Sequence, residues 1–255
     1  MVQHNPETRL PTSAELPCSD DIPVDNEDQN FIPNFLLFLL ELIWASRLDW
    51  YFGVDMGIYH TTGVNPRVPV VPDGFLSLGV ERRKNNGSRS SYVLWEENNI
   101  APIFVLEIVS HTYGGEYDTK MAIYANLGVL YYVVYNPNFW RRDQEQPFEV
   151  YRLVNGSYHL QIGEPFWMPE IGLGIGRFVA QVGGIQREVL YWYDAQGVRY
   201  QTGEELAQVE RNQRELAQQQ AELERQQAEL ERQRSNEMAE LLERYRDRFG
   251  DLTQE

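Results

Sequence analysis

The stretch that decides the fold is 102–137, PIFVLEIVS HTYGGEYDTKMAIYANLG VLYYVVYNP. Its first part, 102–110, is apolar at both alternating sets of positions, which marks a strand covered on both faces. Gly114 and Gly115 break that strand. The residues from about Glu116 to Leu127 then read as a helix, with Gly128 where a C-terminal cap belongs. A second apolar strand, 129–135, stops at Asn136-Pro137. Strand, helix and strand in this order place two parallel strands side by side. Glu107 stands inside the first strand. An ionised carboxylate there is costly unless it is paired or binds a metal.

Outward from this unit, Asn34 is placed to cap a helix over Phe35–Arg47, apolar nearly all round and so well buried. DWYFGVDMGIYH (49–60) reads as one strand and VPVVPDGFLSL (68–78) as another, followed by the polar loop ERRKNNGSRSS. FEVYRLVNGSYHLQ (148–161) is a hairpin turning at Asn155-Gly156. Shorter strands are expected near 174–179 and 188–193.

The chain has 255 residues with 22 basic and 38 acidic side chains, a net charge of −16. The acid is concentrated at the ends: residues 1–30 and 201–255 each carry −6, leaving −4 for the centre. That argues against coating nucleic acid through a broad basic surface, and leaves room for a small local site. Residues 1–30 are rich in Pro, Asp, Glu, Ser and Asn, which reads as a disordered acidic tail. The start has neither a basic nor an apolar segment of the kind a signal peptide needs. The run FLLFLLELIW is too short to span a bilayer and carries Glu41, so no membrane is expected. The single cysteine, Cys18, is consistent with a cytoplasmic protein.

After Gly203 the composition shifts to Gln, Glu, Arg, Leu and Ala. QQAELER occurs twice in register, and Leu216, Leu223 and Leu230 recur every seven residues behind Val209. A coiled-coil helix over 203–249 is the natural reading, although Gln213, Gln220, Gln227 and Arg234 occupy the second seam position. Such a helix either joins two copies of the chain or stays solvated or packs on another partner.

Strand alternation sets Asp73 on one face with Val71 and Phe75, and Glu107 on one face with Val105 and Val109. If the two strands are neighbours and the faces agree, the carboxylates converge and suit Mg²⁺, a hard cation. On the helix, Lys120 shares its stripe with Ile123, Tyr124 and Leu127. Two acids and a lysine suit phosphodiester hydrolysis, in which a metal activates water and the ammonium stabilises charge on oxygen. Each residue also has a plain reading. Asp73 fits a Pro-Asp-Gly turn, Glu107 a structural salt bridge to Lys120, and Lys120 a surface pair with Glu116. The four histidines, His4, His60, His111 and His159, show no metal-ligand spacing, and His111 follows Ser110 beside the candidate site. Arg82, Arg83, Lys84 and Arg89 either touch phosphates or form a solvated loop.

Pro72-Asp73, Val105-Leu106-Glu107-Ile108-Val109-Ser110, Lys120 with Tyr124, Leu127-Gly128-Val129 and Tyr131 through Pro137, in this order, resemble the Uma-two family of bacterial endonuclease-like proteins. That family belongs to the PD-(D/E)xK restriction-endonuclease-like superfamily. The similarity covers about 31–200 and runs into WYDAQGVRYQTGEELA. It implies an α/β fold, a restriction-endonuclease-like mixed sheet flanked by helices over 31–200. It also implies Asp73 and Glu107 as ligands of Mg²⁺ or Mn²⁺. The superfamily lysine two residues after the glutamate is Val109 here, and Lys120 matches the family's displaced lysine. A second acid near that lysine is usual, and either Glu116 or Asp118 fills it. The expected function is Mg²⁺-dependent hydrolysis of DNA by a dimer joined through the C-terminal helix. The alternative is a non-catalytic assembly protein with a relic site.

Overall fold

The structure is a computed structural model that describes residues 10–12, 26–84, 87–111 and 114–250. It divides into two units, 1–200 and 201–255. Most of the segment expected as an acidic tail, Cys18 included, lies outside the described residues. Pro11 is buried, and its carbonyl accepts a hydrogen bond from Trp95 Nε1 at 2.9 Å.

The first helix, α1, runs Glu27–Ile43, eight residues earlier than its expected start at Phe35. Asn26 caps it, not Asn34: the Asn26 side chain accepts from the Asp28 and Gln29 backbone, and Gln29 reaches back to the Asn26 backbone. This capping box satisfies otherwise orphaned donors. Pro33 lies inside the helix, where a proline costs about 3 kcal/mol, so tertiary packing carries the helix through it. The helix is also less buried than its composition suggests. Ile32, Pro33, Phe35, Leu36, Leu39 and Leu40 are buried, whereas Phe38 is 62% exposed.

A six-stranded mixed sheet forms the centre. Its strands are β1 (Trp50–Val54), β3 (Gly74–Leu78), β5 (Phe104–Ile108), β6 (Tyr131–Tyr135), β7 (Phe148–Val154) and β8 (Ser157–Leu160), in that spatial order. Only β5 and β6 run parallel, joined by α2 (Thr119–Leu127), as the strand–helix–strand pattern predicts. The other neighbours are antiparallel. The β7–β8 hairpin turns at Asn155 and Gly156, both at positive φ. The segment 49–60, expected as one strand, is split at Asp55 into β1 and a short β2 (Ile58–Tyr59). The latter pairs with β4 (Tyr92–Val93). A one-turn helix, α3 (Trp140–Asp143), follows β6.

Alternation gives the sheet two packed faces. Leu76, Phe104, Leu106, Ile108, Tyr131, Val133 and Tyr135 point to one core, shared with α1 and with a second sheet. That sheet is β9 (Phe166–Met168), β10 (Leu173–Val182) and β11 (Ile185–Tyr193). Phe75, Val105, Tyr132 and Val134 point to the other core, under Tyr124 and Leu127 of α2. Gly53 is needed on β1: a Cβ there would lie 2.3 Å from the Phe75 ring. In the second unit, α4 (Gly203–Phe249) is one continuous helix capped by Thr202. No described helix is long and apolar enough to cross a membrane.

Candidate active site

The site lies on the α2 face of the sheet, where β3 begins and β5 ends. The β3–β5 register pairs Gly74 with Leu106. Continued by one residue, it sets Asp73 opposite Glu107, on the same sheet face because Phe75 and Val105 share it. Asp73 is held by its neighbours: Oδ2 accepts from the Ile108 backbone at 2.5 Å, and Oδ1 from Gln29 Nε2 at 3.3 Å.

Glu107 is 1% exposed. Its Oε2 accepts from Lys120 Nζ at 2.8 Å and its Oε1 from the Tyr124 hydroxyl at 2.7 Å. Burial pushes its carboxyl above the usual carboxylate range, and the Lys120 ammonium and Tyr124 hydroxyl oppose that without cancelling it. Burial works against the Lys120 charge, but Glu107, Asp73 and Glu116 outweigh it and hold the ammonium above its usual value. Lys120 therefore pairs with Glu107 and not, as one expectation had it, on the helix surface with Glu116.

The placement of Lys120 follows from the loop before α2. Asp118 caps the helix by accepting from the Thr119 backbone, so α2 begins at Thr119, three residues later than expected. The Tyr132 hydroxyl donates to the Glu116 carbonyl at 2.6 Å, and Asn136 Nδ2 donates to the Tyr117 hydroxyl at 3.2 Å. The sheet thus anchors the loop that aims Lys120 back at Glu107. Between the two second-acid candidates, Glu116 is buried and acts electrostatically on both Glu107 and Lys120, whereas Asp118 is exposed and occupied as a cap. Both Glu116 oxygens accept from the Gly114 backbone.

His111 and the basic stretch are open readings of the sequence. His111 is exposed and sets its ring edge-on to Phe139, 5.9 Å between centroids. In the basic stretch, Arg82 pairs with Glu41 at 2.6 Å and stacks on Trp50, Lys84 pairs with Glu96 and Glu97, and Arg83 is exposed. Arg89 pairs with Glu97 at 2.9 Å and stacks on Tyr51.

Sequence reasoning missed Gln29, because it fell in the expected tail. An Asn followed three residues on by Gln was the signal that a helix starts there. It also missed the Tyr124–Glu107 bond, although Tyr124 sits one turn beyond Lys120 on the same stripe.

The chemistry of the donor set fits a hard divalent cation. The continued register sets Asp73 opposite Glu107, whose carboxyl burial raises even with Lys120 and Tyr124 beside it. Among the described residues no three His, Cys, Asp or Glu side chains cluster as a ready-made cage. One or two carboxylates with retained waters is the usual Mg²⁺ arrangement.

A family model described as "Uma2: Putative restriction endonuclease" matches residues 22–181, more than half of the chain. The crystal structure of "a putative nuclease belonging to DUF820" from Anabaena variabilis ATCC 29413 is similar at 15% identity and a TM-score of 0.41. It covers 58% of this chain and 74% of that one. No curated protein matches the chain.

Proposed function

Since the chain belongs to the Uma2 family, we propose that it is a metal-dependent endonuclease that hydrolyses DNA phosphodiester bonds, with Asp73, Glu107 and Lys120 as its catalytic residues. The observation that carries this reading is the pairing of buried Glu107 with Lys120 in a strand whose next neighbour presents Asp73. A structural ion pair alone gives no reason for the second carboxylate.

In this reading Asp73 and Glu107 hold Mg²⁺ or Mn²⁺, and the ion supplies charge neutralisation and water activation when bound. Lys120 keeps its proton at neutral pH, since the surrounding acids hold its pKa above the usual lysine value. With its side chain 26% exposed, its ammonium is positioned to stabilise negative charge on a phosphoryl oxygen. Tyr124 orients the Glu107 carboxylate. Ile108 and Gln29 orient Asp73. Glu116 adds negative charge that favours a cation between the acids. Arg82, Lys84 and Arg89 hold the fold through their acidic partners and take no part in DNA contact. The protein acts in the cytoplasm as a homodimer joined through α4, which suits cleavage of both strands.

Purified protein is incubated with supercoiled plasmid and Mg²⁺ or Mn²⁺, beside Asp73→Asn and Lys120→Ala. Metal-dependent nicking lost in both variants is expected. Equal nicking by all three proteins would reject these residues. Thermal unfolding supplies a second readout, since a ligand that binds only the folded state raises the melting temperature. Mg²⁺ or Mn²⁺ raises it for the wild type and not for Glu107→Gln. No metal effect on stability and no nicking would favour the assembly-protein reading.

A further inference from the structure

Helix α4 spans 47 residues, about 70 Å at 1.5 Å per residue. None of its described side chains is buried within the chain. Leu216, Leu223 and Leu230 are each more than half exposed. A bare apolar seam at heptad spacing is the kind of surface a second helix covers. Two features of its surface decide which helix and in which direction.

The first is the seam. Taking Val209, Leu216, Leu223 and Leu230 as d positions makes Gln213, Gln220 and Gln227 consecutive a positions. In a parallel pair in register, a meets a. Each glutamine then faces its own copy, and the two amides satisfy each other as donor and acceptor. In an antiparallel pair a meets d, so each glutamine is pressed against a leucine without a partner.

The second is the flank. The e positions of these heptads hold Glu224 and Glu231, and the g positions hold Gln219 and Gln226. In a parallel pair a g residue meets the e residue five further on in the other copy. Gln219 then meets Glu224, and Gln226 meets Glu231, amide donors against carboxylates. Antiparallel pairing brings e against e and sets glutamates against glutamates. One N-terminal contact opposes this trend, Glu205 against Glu210. Both side chains have other partners within their own helix, Glu205 at the Thr202 cap and Glu210 at Arg214.

We propose that α4 pairs with α4 of a second copy as a parallel, in-register, two-stranded coil over 206–230, held in register by three glutamine layers. Past Leu230 the same frame puts Arg234 at a and Glu237 at d, so the seam turns charged before Leu241 returns at a. The parallel arrangement brings both copies of residue 202 to the same end of the coil. This inference rests on the homodimer reading and adds its direction, register and strand number.

The test uses the full chain with Cys18→Ser and a single spin label at Arg211→Cys or at Arg232→Cys, both on the outer f position. Sedimentation is run first, then inter-label distances. A parallel pair gives a dimer with both distances short and nearly equal, about 20–30 Å from the helix diameter and packing distance. An antiparallel pair cannot have both short, because the two sites lie about 30 Å apart along the helix. A dimer with either distance long, or with both long, overturns the orientation and leaves dimerisation standing. A trimer overturns the strand number. A monomer overturns both this inference and the homodimer reading.

Discussion

Lys120 Nζ lies 2.8 Å from Glu107 Oε2, joining the second residue of α2 to the fourth of the strand that precedes it. The pair is asymmetric, with Glu107 wholly buried and Lys120 partly open to solvent. Its two members are mutually dependent: the lysine compensates a charge that burial opposes, and the glutamate raises a pKa that burial lowers.

Replacing Glu107 by Gln removes the main influence that keeps the Lys120 pKa high. The expected result is a Lys120 pKa below that of the wild type, read from side-chain NMR titration. In the wild type the raised value contributes stability that is complete below the ordinary lysine value of 10.5 and fades as pH rises through the folded value. A Lys120 pKa unchanged by the substitution would mean that the pair does not form in solution.

Tyr124→Phe deletes the hydrogen bond to Glu107 Oε1 and leaves the ring in the core. The lost bond costs about 1 kcal/mol of stability. With one donor fewer, the Glu107 carboxyl holds its proton more tightly, so the acid limb of the cleavage–pH profile moves to higher pH. A drop in stability with an unmoved limb would reduce Tyr124 to a packing residue.

Glu149 sits on β7 across Val134 from Glu107, in the same row of the sheet. It is 4% exposed, and its Oε2 has no hydrogen-bond partner. Burial, with Glu145 adding to it, raises its carboxyl above the usual value of 4.5. The folded chain thus holds this proton more tightly than the unfolded chain. Stability from this group is gained as pH falls through the raised value, and the full penalty applies above it. Glu149→Gln is expected to stabilise the protein at pH 8 by about 1 kcal/mol, with the gain vanishing towards pH 4. Equal unfolding curves at pH 8 would show that the carboxylate is satisfied by water.

Arg89 and Glu97 form a buried pair, with side chains 2% and 7% exposed. Arg89→Ala leaves the glutamate with Lys84 alone, at 3.4 Å, and should cost about 1.5–3 kcal/mol. Cleavage per folded molecule, measured below the unfolding transition, should be unchanged. Loss of DNA affinity in the folded variant would return this loop to a phosphate-contact role.

Periodicity is local, so the sequence by itself determined which residues face a core and which elements follow one another. The two-sided run at 104–109, the helix to Leu127 and the strand to Tyr135 needed no knowledge of neighbours. The order Asp73, Glu107, Lys120 and the resemblance it carries were legible for the same reason. Tail and helix could not be separated that way at 26–34, because Pro33 masked a helix that packing sustains and the capping box starts at Asn26.

Only the tertiary structure decided what meets across long connections. The β3–β5 register sets Asp73 opposite Glu107, and a one-residue slip would have sent the acids to opposite faces. Ties from Tyr132 and Asn136 fix the loop before α2, which selects Glu116 over Asp118 as the acid near Lys120. The same ties turn Lys120 from a surface residue into the partner of Glu107. The charges of Arg82, Lys84 and Arg89 were visible in the sequence. Their partners, Glu41, Glu96 and Glu97, were not, because an ion pair depends on distance through space and the sequence records only distance along the chain.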